Sequence, residues 1–210
     1  MGRRPKDPEI RRMELIMAAE SLFAEKGFED TSVSDITDKV GVSHGAFFYY
    51  FPSKNEILKA VIGYYVNMSR DWVTGIVKDP NSNAVKKIQA ILDASISSTK
   101  EVENQSENKL MKYMHMEGNE SLHGEYVRRS YEMIIPLVTE VVEEGIREGQ
   151  FDVKYPKETV EYIVYLFDES LHELQNTTQG KDAYYRKIRA LEIILTRVFG
   201  MKEGSISLLT

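Results

Sequence analysis

The sequence contains no cysteine. Disulfides, thiolate metal sites and cysteine nucleophiles are therefore excluded, and a reducing compartment suits the chain. Long apolar runs are also missing. The longest are a few residues, such as Ile193-Ile194-Leu195, whereas a membrane span takes about 18 or more. The charged opening MGRRPKDPEIRR has no apolar stretch behind it, which is not the form of a secretory signal, so a cytoplasmic protein is expected. No internal repeat, low-complexity tract or alternating strand pattern flanked by turns is found, which leaves an all-α fold. There is no phosphate loop, GxGxxG or GxSxG, and the HExxH spacing of zinc enzymes is absent. The nearest approaches to a metal or acid–base pair are His115-x-Glu117 and His172-Glu173. Neither completes a ligand set, so no enzyme, metal or cofactor is expected.

What is present is an ordinary globular composition, with 42% hydrophobic and 29% charged residues in a chain of 210. That length suits one large domain or a small one with a larger one. The net charge of −6 argues against indiscriminate nucleic-acid binding by the whole surface. The charge is uneven, however. Residues 1–12 carry Arg3, Arg4, Lys6, Arg11 and Arg12 against Asp7 and Glu9, five positive and two negative, a local +3.

Helix follows helix. From Pro8 to Lys26, Leu15, Ala18, Ala19, Leu22 and Phe23 recur on one face, and Gly27 is a natural stop. Thr31 and Ser32 can cap a short second helix carrying Val33, Ile36 and Val40, with Asp35 three residues after Ser32 as a partial capping box. Gly41 ends it. Ser43 caps a third helix from His44 to about Tyr50, and Ser53 with Glu56 caps a fourth running to about Val73. Longer helices are expected over 84–103, 106–117, 121–148, 157–176 and 182–199. Pro136 lies within 121–148 and should kink it.

Residues 31–54, TSVSDITDKVGVSHGAFFYYFPSK, thus form a short helix, a Gly41-Val42 turn and a second short helix, a helix-turn-helix. Residues on a helix rotate by about 100° each. With His44 at zero, Gly45, Phe48 and Tyr49 share its side, while Phe47 and Phe51 turn toward the preceding helices. An exposed Phe-Tyr pair suggests a binding face. A histidine can bond a base edge, rings can pack on sugars or thymine methyls, and hydroxyls can reach phosphates.

On these residues the segment 10–63 resembles the DNA-binding domain of the TetR family of transcription regulators. The resemblance rests on Leu22-Phe23-Ala24-Glu25-Lys26-Gly27-Phe28, Thr31-Ser32-Val33, Ile36, Val40-Gly41-Val42-Ser43 and Phe47 to Lys54, with Glu56 and Leu58 behind. It implies that Thr31 and Ser32 contact phosphates, and that Ser43, His44, Gly45, Phe48 and Tyr49 lie in the groove. It implies further backbone contacts from Tyr50 and Lys54. Two departures stand out: the usual threonine of the recognition helix is Ala46, and the usual tyrosine is Phe48.

The resemblance divides the chain into a DNA-binding domain at 1–53, a connecting helix at 54–73, and a helical ligand-binding and dimerisation domain over 54–210. It implies a homodimer through helices 157–176 and 182–199. The first of these is apolar around much of its circumference, with Tyr162, Tyr165 and Leu166 beside its main stripe, as in a helix buried on several sides. A dimer would read a near-palindromic operator, with half-sites about 34 Å apart. An apolar or aromatic small-molecule effector is expected to release it. Candidate ligand contacts are Trp72, Met111, Met114, His115, Tyr126, Tyr131, Tyr165 and His172, since methionine and aromatic side chains line adaptable pockets. The alternative keeps the DNA binding and makes the second domain a surface for assembly or for a protein partner.

Overall fold

The structure is a computed structural model, and it describes residues 7–104, 120–175 and 181–208. Among the described residues there are helices and no strand. Helix α1 is Pro8–Lys26, α2 Val33–Val40, α3 His44–Tyr50 and α4 Lys54–Val77. Helix α5 is Ala84–Asn104, α6 Glu120–Arg147, α7 Pro156–Gln175 and α8 Lys181–Val198. The expected helix over 106–117 falls outside the described residues. The described residues divide into two compact units, one of 7–68 with 120–129, the other of 69–104 with 130–175 and 181–208.

The local signals in the first unit act as capping chemistry requires. Asp7 accepts from the backbone N–H of Glu9 at 2.9 Å, and Pro8 opens α1, where its missing N–H costs nothing. Ser32 and Asp35 close a reciprocal capping box at the start of α2. Gly41 adopts a left-handed conformation, with φ 72°, which a side chain would strain. This lets the Gly41 and Val42 N–H groups return to the Thr37 carbonyl at 2.8 and 3.0 Å. The chain then leaves α2 directly into α3. Leu15, Ile16, Ala19 and Phe23 of α1 pack inside with Ile36, Phe47 and Phe51, and with Ile57, Val61 and Ile62 of α4. Each large side chain so buried contributes about 1.5–3 kcal/mol, so the short helices are held by packing rather than by their own propensity.

The second unit has its own core, built from Ile88, Leu92, Val141, Val142, Val160, Ile188, Leu195 and Phe199 among others. Helix α4 runs four residues beyond the expected end at Val73. Val77 at its tip is buried in this core and Ile76 packs against it, a packing gain that outweighs the weak helix propensity of Gly75. Helix α6 continues through Pro136 without a break. Its C-terminal end meets Phe151 at Gly145, where an added Cβ would collide with the ring. Lys87 is buried and donates to both carboxylate oxygens of Glu144 at 2.7 and 2.8 Å. After α8 the chain folds back. Ile206 and Leu208 are buried, Gln89 both donates to and accepts from the Ser207 backbone, and the Leu208 N–H donates to Glu192.

Candidate nucleic-acid interface

The first unit presents α3 with a dry side and a wet side. Phe47 and Phe51 are buried and their rings lie 5.9 Å apart. Phe48 is 51% exposed and Tyr49 78% exposed. His44 and Gly45 are exposed with them. An added Cβ at Gly45 would meet only the Ser43 hydroxyl, at 3.8 Å, so this part of the face is bare. Ser43 caps the helix by accepting from the Ala46 N–H. Tyr50 is half-buried, with its ring edge-on to Tyr49 at 4.9 Å. The rings are rigid and apolar with hydroxyl tips, the kind of surface that packs on sugars and reaches phosphates.

Three of the expected contacts have other engagements. Thr31 is 1% exposed. Its hydroxyl donates to the Gly27 carbonyl at 2.7 Å, so it ties the end of α1 to the start of α2 and does not face solvent. Ser32 is exposed, but its hydroxyl proton goes to Asp35 at 2.6 Å. Lys54 reaches back across the unit, donating to the carbonyls of Phe28 at 2.7 Å and Glu29 at 3.2 Å. Its ammonium also stands 4.2 Å from the centre of the Phe28 ring. The contacts of Lys54 are tertiary, over sequence separations that helix periodicity does not register.

Asp35 is the charged centre of the α1–α2 corner. Lys26 lies 2.8 Å from its carboxylate. That hydrogen bond, followed by those from the Ser32 side chain and backbone, holds the carboxyl well below the usual carboxylate range. Lys39 completes the corner with a bond to Ser21 and an ion pair to Glu25. A residue not singled out from the sequence also belongs to the face: the Ser34 hydroxyl on α2 lies 3.1 Å from Nε2 of His44. No spacing rule links residues ten apart on two helices, so only the fold reveals the pair.

In the second unit, Tyr131 and Tyr165 come together edge to face at 4.7 Å, and the Tyr131 hydroxyl donates to Asp168 at 2.6 Å. Burial, followed by that bond, pushes the Tyr131 phenol up. Trp72 is half-exposed in the same unit, and Tyr126 is half-buried in the first. Met111, Met114 and His115 lie outside the described residues, as does the side chain of His172. On α7, Tyr162, Tyr165 and Leu166 are exposed, and on α8 Tyr185, Ile193, Ile194 and Val198.

Residues 15–61 match the family of bacterial regulatory proteins, tetR family. The HTH-type transcriptional repressor KstR2 of Mycolicibacterium smegmatis is 30% identical over 94 residues, which cover 43% of this chain and 44% of that protein. The match thus spans less than half the length of that relative. A TetR-family transcriptional regulator from Pectobacterium atrosepticum has a similar structure, with a TM-score of 0.69 at 18% identity over 94% of this chain and 98% of its own. SmeT, the repressor of the Stenotrophomonas maltophilia multidrug efflux pump SmeDEF, is similar in its complex with triclosan, with a TM-score of 0.68 at 20% identity over 96% of each chain. These structural likenesses extend the all-helical fold over nearly the whole chain. Residues 15–61 are thus a helix-turn-helix domain of the kind found in the bacterial regulatory proteins of the tetR family.

Proposed function

We propose that the protein is a cytoplasmic, sequence-specific DNA-binding transcription regulator that acts as a homodimer. It reads a near-palindromic operator through α3 and represses transcription until a small apolar or aromatic effector releases it. The observation that carries this reading is the outward face of α3. A soluble protein gains nothing in stability from leaving Phe48 and Tyr49 bare beside His44 and an open Gly45, whereas a major groove accepts a helix with such a face.

Geometry supports the dimer. One short helix reads only a few base pairs, and two related by a two-fold axis read two half-sites. The exposed aromatic and aliphatic residues of α7 and α8 suit the partner face, forming with a second copy a bundle in which they are buried. Effector control is supported by the aromatic pair of Tyr131 and Tyr165 beside Asp168, and by the triclosan complex of the similarly folded SmeT. An effector that prefers one spacing of the two reading heads changes operator affinity by its differential affinity, commonly about 1–3 kcal/mol.

The test is a binding selection with the purified protein on fragments of its own genome, at two salt concentrations. A short enriched near-palindrome supports the reading, and the genes beside it indicate the effector. Sequence-blind binding that vanishes with salt contradicts it and favours an architectural role.

A further inference from the structure

The imidazole of His44 opens α3, and it is already held. Its Nε2 lies 3.1 Å from the hydroxyl of Ser34, near the start of α2. Both residues are exposed, so water competes for this bond and the fold gains little from it. Each helix has its own anchor in the interior, Ile36 on α2 and Phe47 on α3, both fully buried. A surface bond that adds little to the fold, yet fixes the side chain at the head of the reading helix, is placed for recognition.

We propose that Ser34 is a positioning residue for DNA reading: it fixes the plane of the His44 ring so that Nδ1 meets one base edge in each half-site. This rests on the assignment of α3 as the reading helix. A hydroxyl suits the task because it works in either direction. When it donates to Nε2, the ring proton sits on Nδ1, which then donates to the N7 or O6 of guanine or the O4 of thymine. When it accepts from Nε2–H, Nδ1 is bare and accepts from the amino group of adenine or cytosine. In both arrangements the orientation of the ring is set before DNA arrives. The ordering that an unrestrained side chain would undergo on binding is then already done.

The experiment is selection from a random duplex library by the unaltered protein and four variants: Ser34→Ala, Ser34→Thr, His44→Ala, and Ser34→Ala combined with His44→Ala. Ser34→Ala should flatten the preference at one base pair of each half-site by about 3- to 10-fold, the loss of one ordinary hydrogen bond. Binding to random duplex and the melting temperature should be unchanged. Ser34→Thr, which keeps a hydroxyl in place, should restore the preference. In the His44→Ala background Ser34→Ala should change nothing further.

An unchanged base profile in Ser34→Ala overturns the inference while leaving the reading helix intact. A Ser34→Ala effect that persists without His44 also overturns it, since Ser34 would then touch DNA itself. If the unaltered protein enriches no sequence, the assignment of α3 fails and the inference falls with it.

Discussion

The ammonium of Lys54 sits 4.2 Å over the ring of Phe28 and donates to the Phe28 carbonyl at 2.7 Å. It closes the loop between α1 and α2 from the first residue of α4. Lys54→Ala removes a cation–π contact of about 0.5–1 kcal/mol and hydrogen bonds contributing about 0.5–1.5 kcal/mol each. The variant should unfold about 1–2 kcal/mol more easily in urea. Unchanged stability would return Lys54 to the role the family resemblance implies, a contact with the DNA backbone alone.

The Asp35 carboxylate makes the same corner sensitive to acid. Its folded pKa lies below its unfolded value near 3.9. Its contribution to stability is therefore complete above that value and is lost as pH falls through the folded pKa. Asp35→Asn should weaken the protein at neutral pH, and its stability should fall less steeply than that of the unaltered protein below about pH 4. Parallel acid-denaturation curves would contradict the assignment.

Removing the carboxylate from Lys87 should be costly. Lys87 is buried against Glu144, and Glu144→Ala leaves its ammonium unpaired, which typically costs about 3–5 kcal/mol. Replacing both with apolar residues of similar volume, Lys87→Met with Glu144→Leu, should recover most of that loss. Chemical denaturation of the single and double variants checks both statements.

These contacts mark what the chain shows of itself and what it conceals. Local signals were legible: the Ser32–Asp35 capping box, the Gly41 turn and the inward rotation of Phe47 and Phe51 depend on neighbours within a turn or two. Thr31 carries the signal of a phosphate contact, yet its hydroxyl turns back to the Gly27 carbonyl four residues before it and the side chain is buried. Long-range contacts were not legible. Lys54 and Phe28 are 26 residues apart, and no periodicity couples them. The end of α4 at Val77 was missed because a core in another part of the chain decides it. The tail that carries Ile206 and Leu208 into that core has no periodicity to read.

The exposed apolar residues of α7 and α8 give the proposed dimer a direct test. Tyr162, at 75% exposure, can become aspartate without disturbing a monomer's own core. Tyr162→Asp with Ile194→Asp should convert a dimer to a folded monomer in sedimentation equilibrium. Operator binding should fall to the level of random duplex. A sedimentation profile identical to that of the unaltered protein would place the partner face elsewhere.

Whether the bare face of α3 reads DNA sequence is measured by equilibrium binding of the unaltered protein and the Phe48→Ala/Tyr49→Ala variant to an enriched duplex and to a scrambled one, across a range of salt. The unaltered protein should prefer the enriched duplex, and the variant should lose most of that preference, at about 1–3 kcal/mol per lost base contact. Both proteins should keep a similar salt dependence on the scrambled duplex. Equal losses on both duplexes, or no preference in the unaltered protein, would contradict that role for α3.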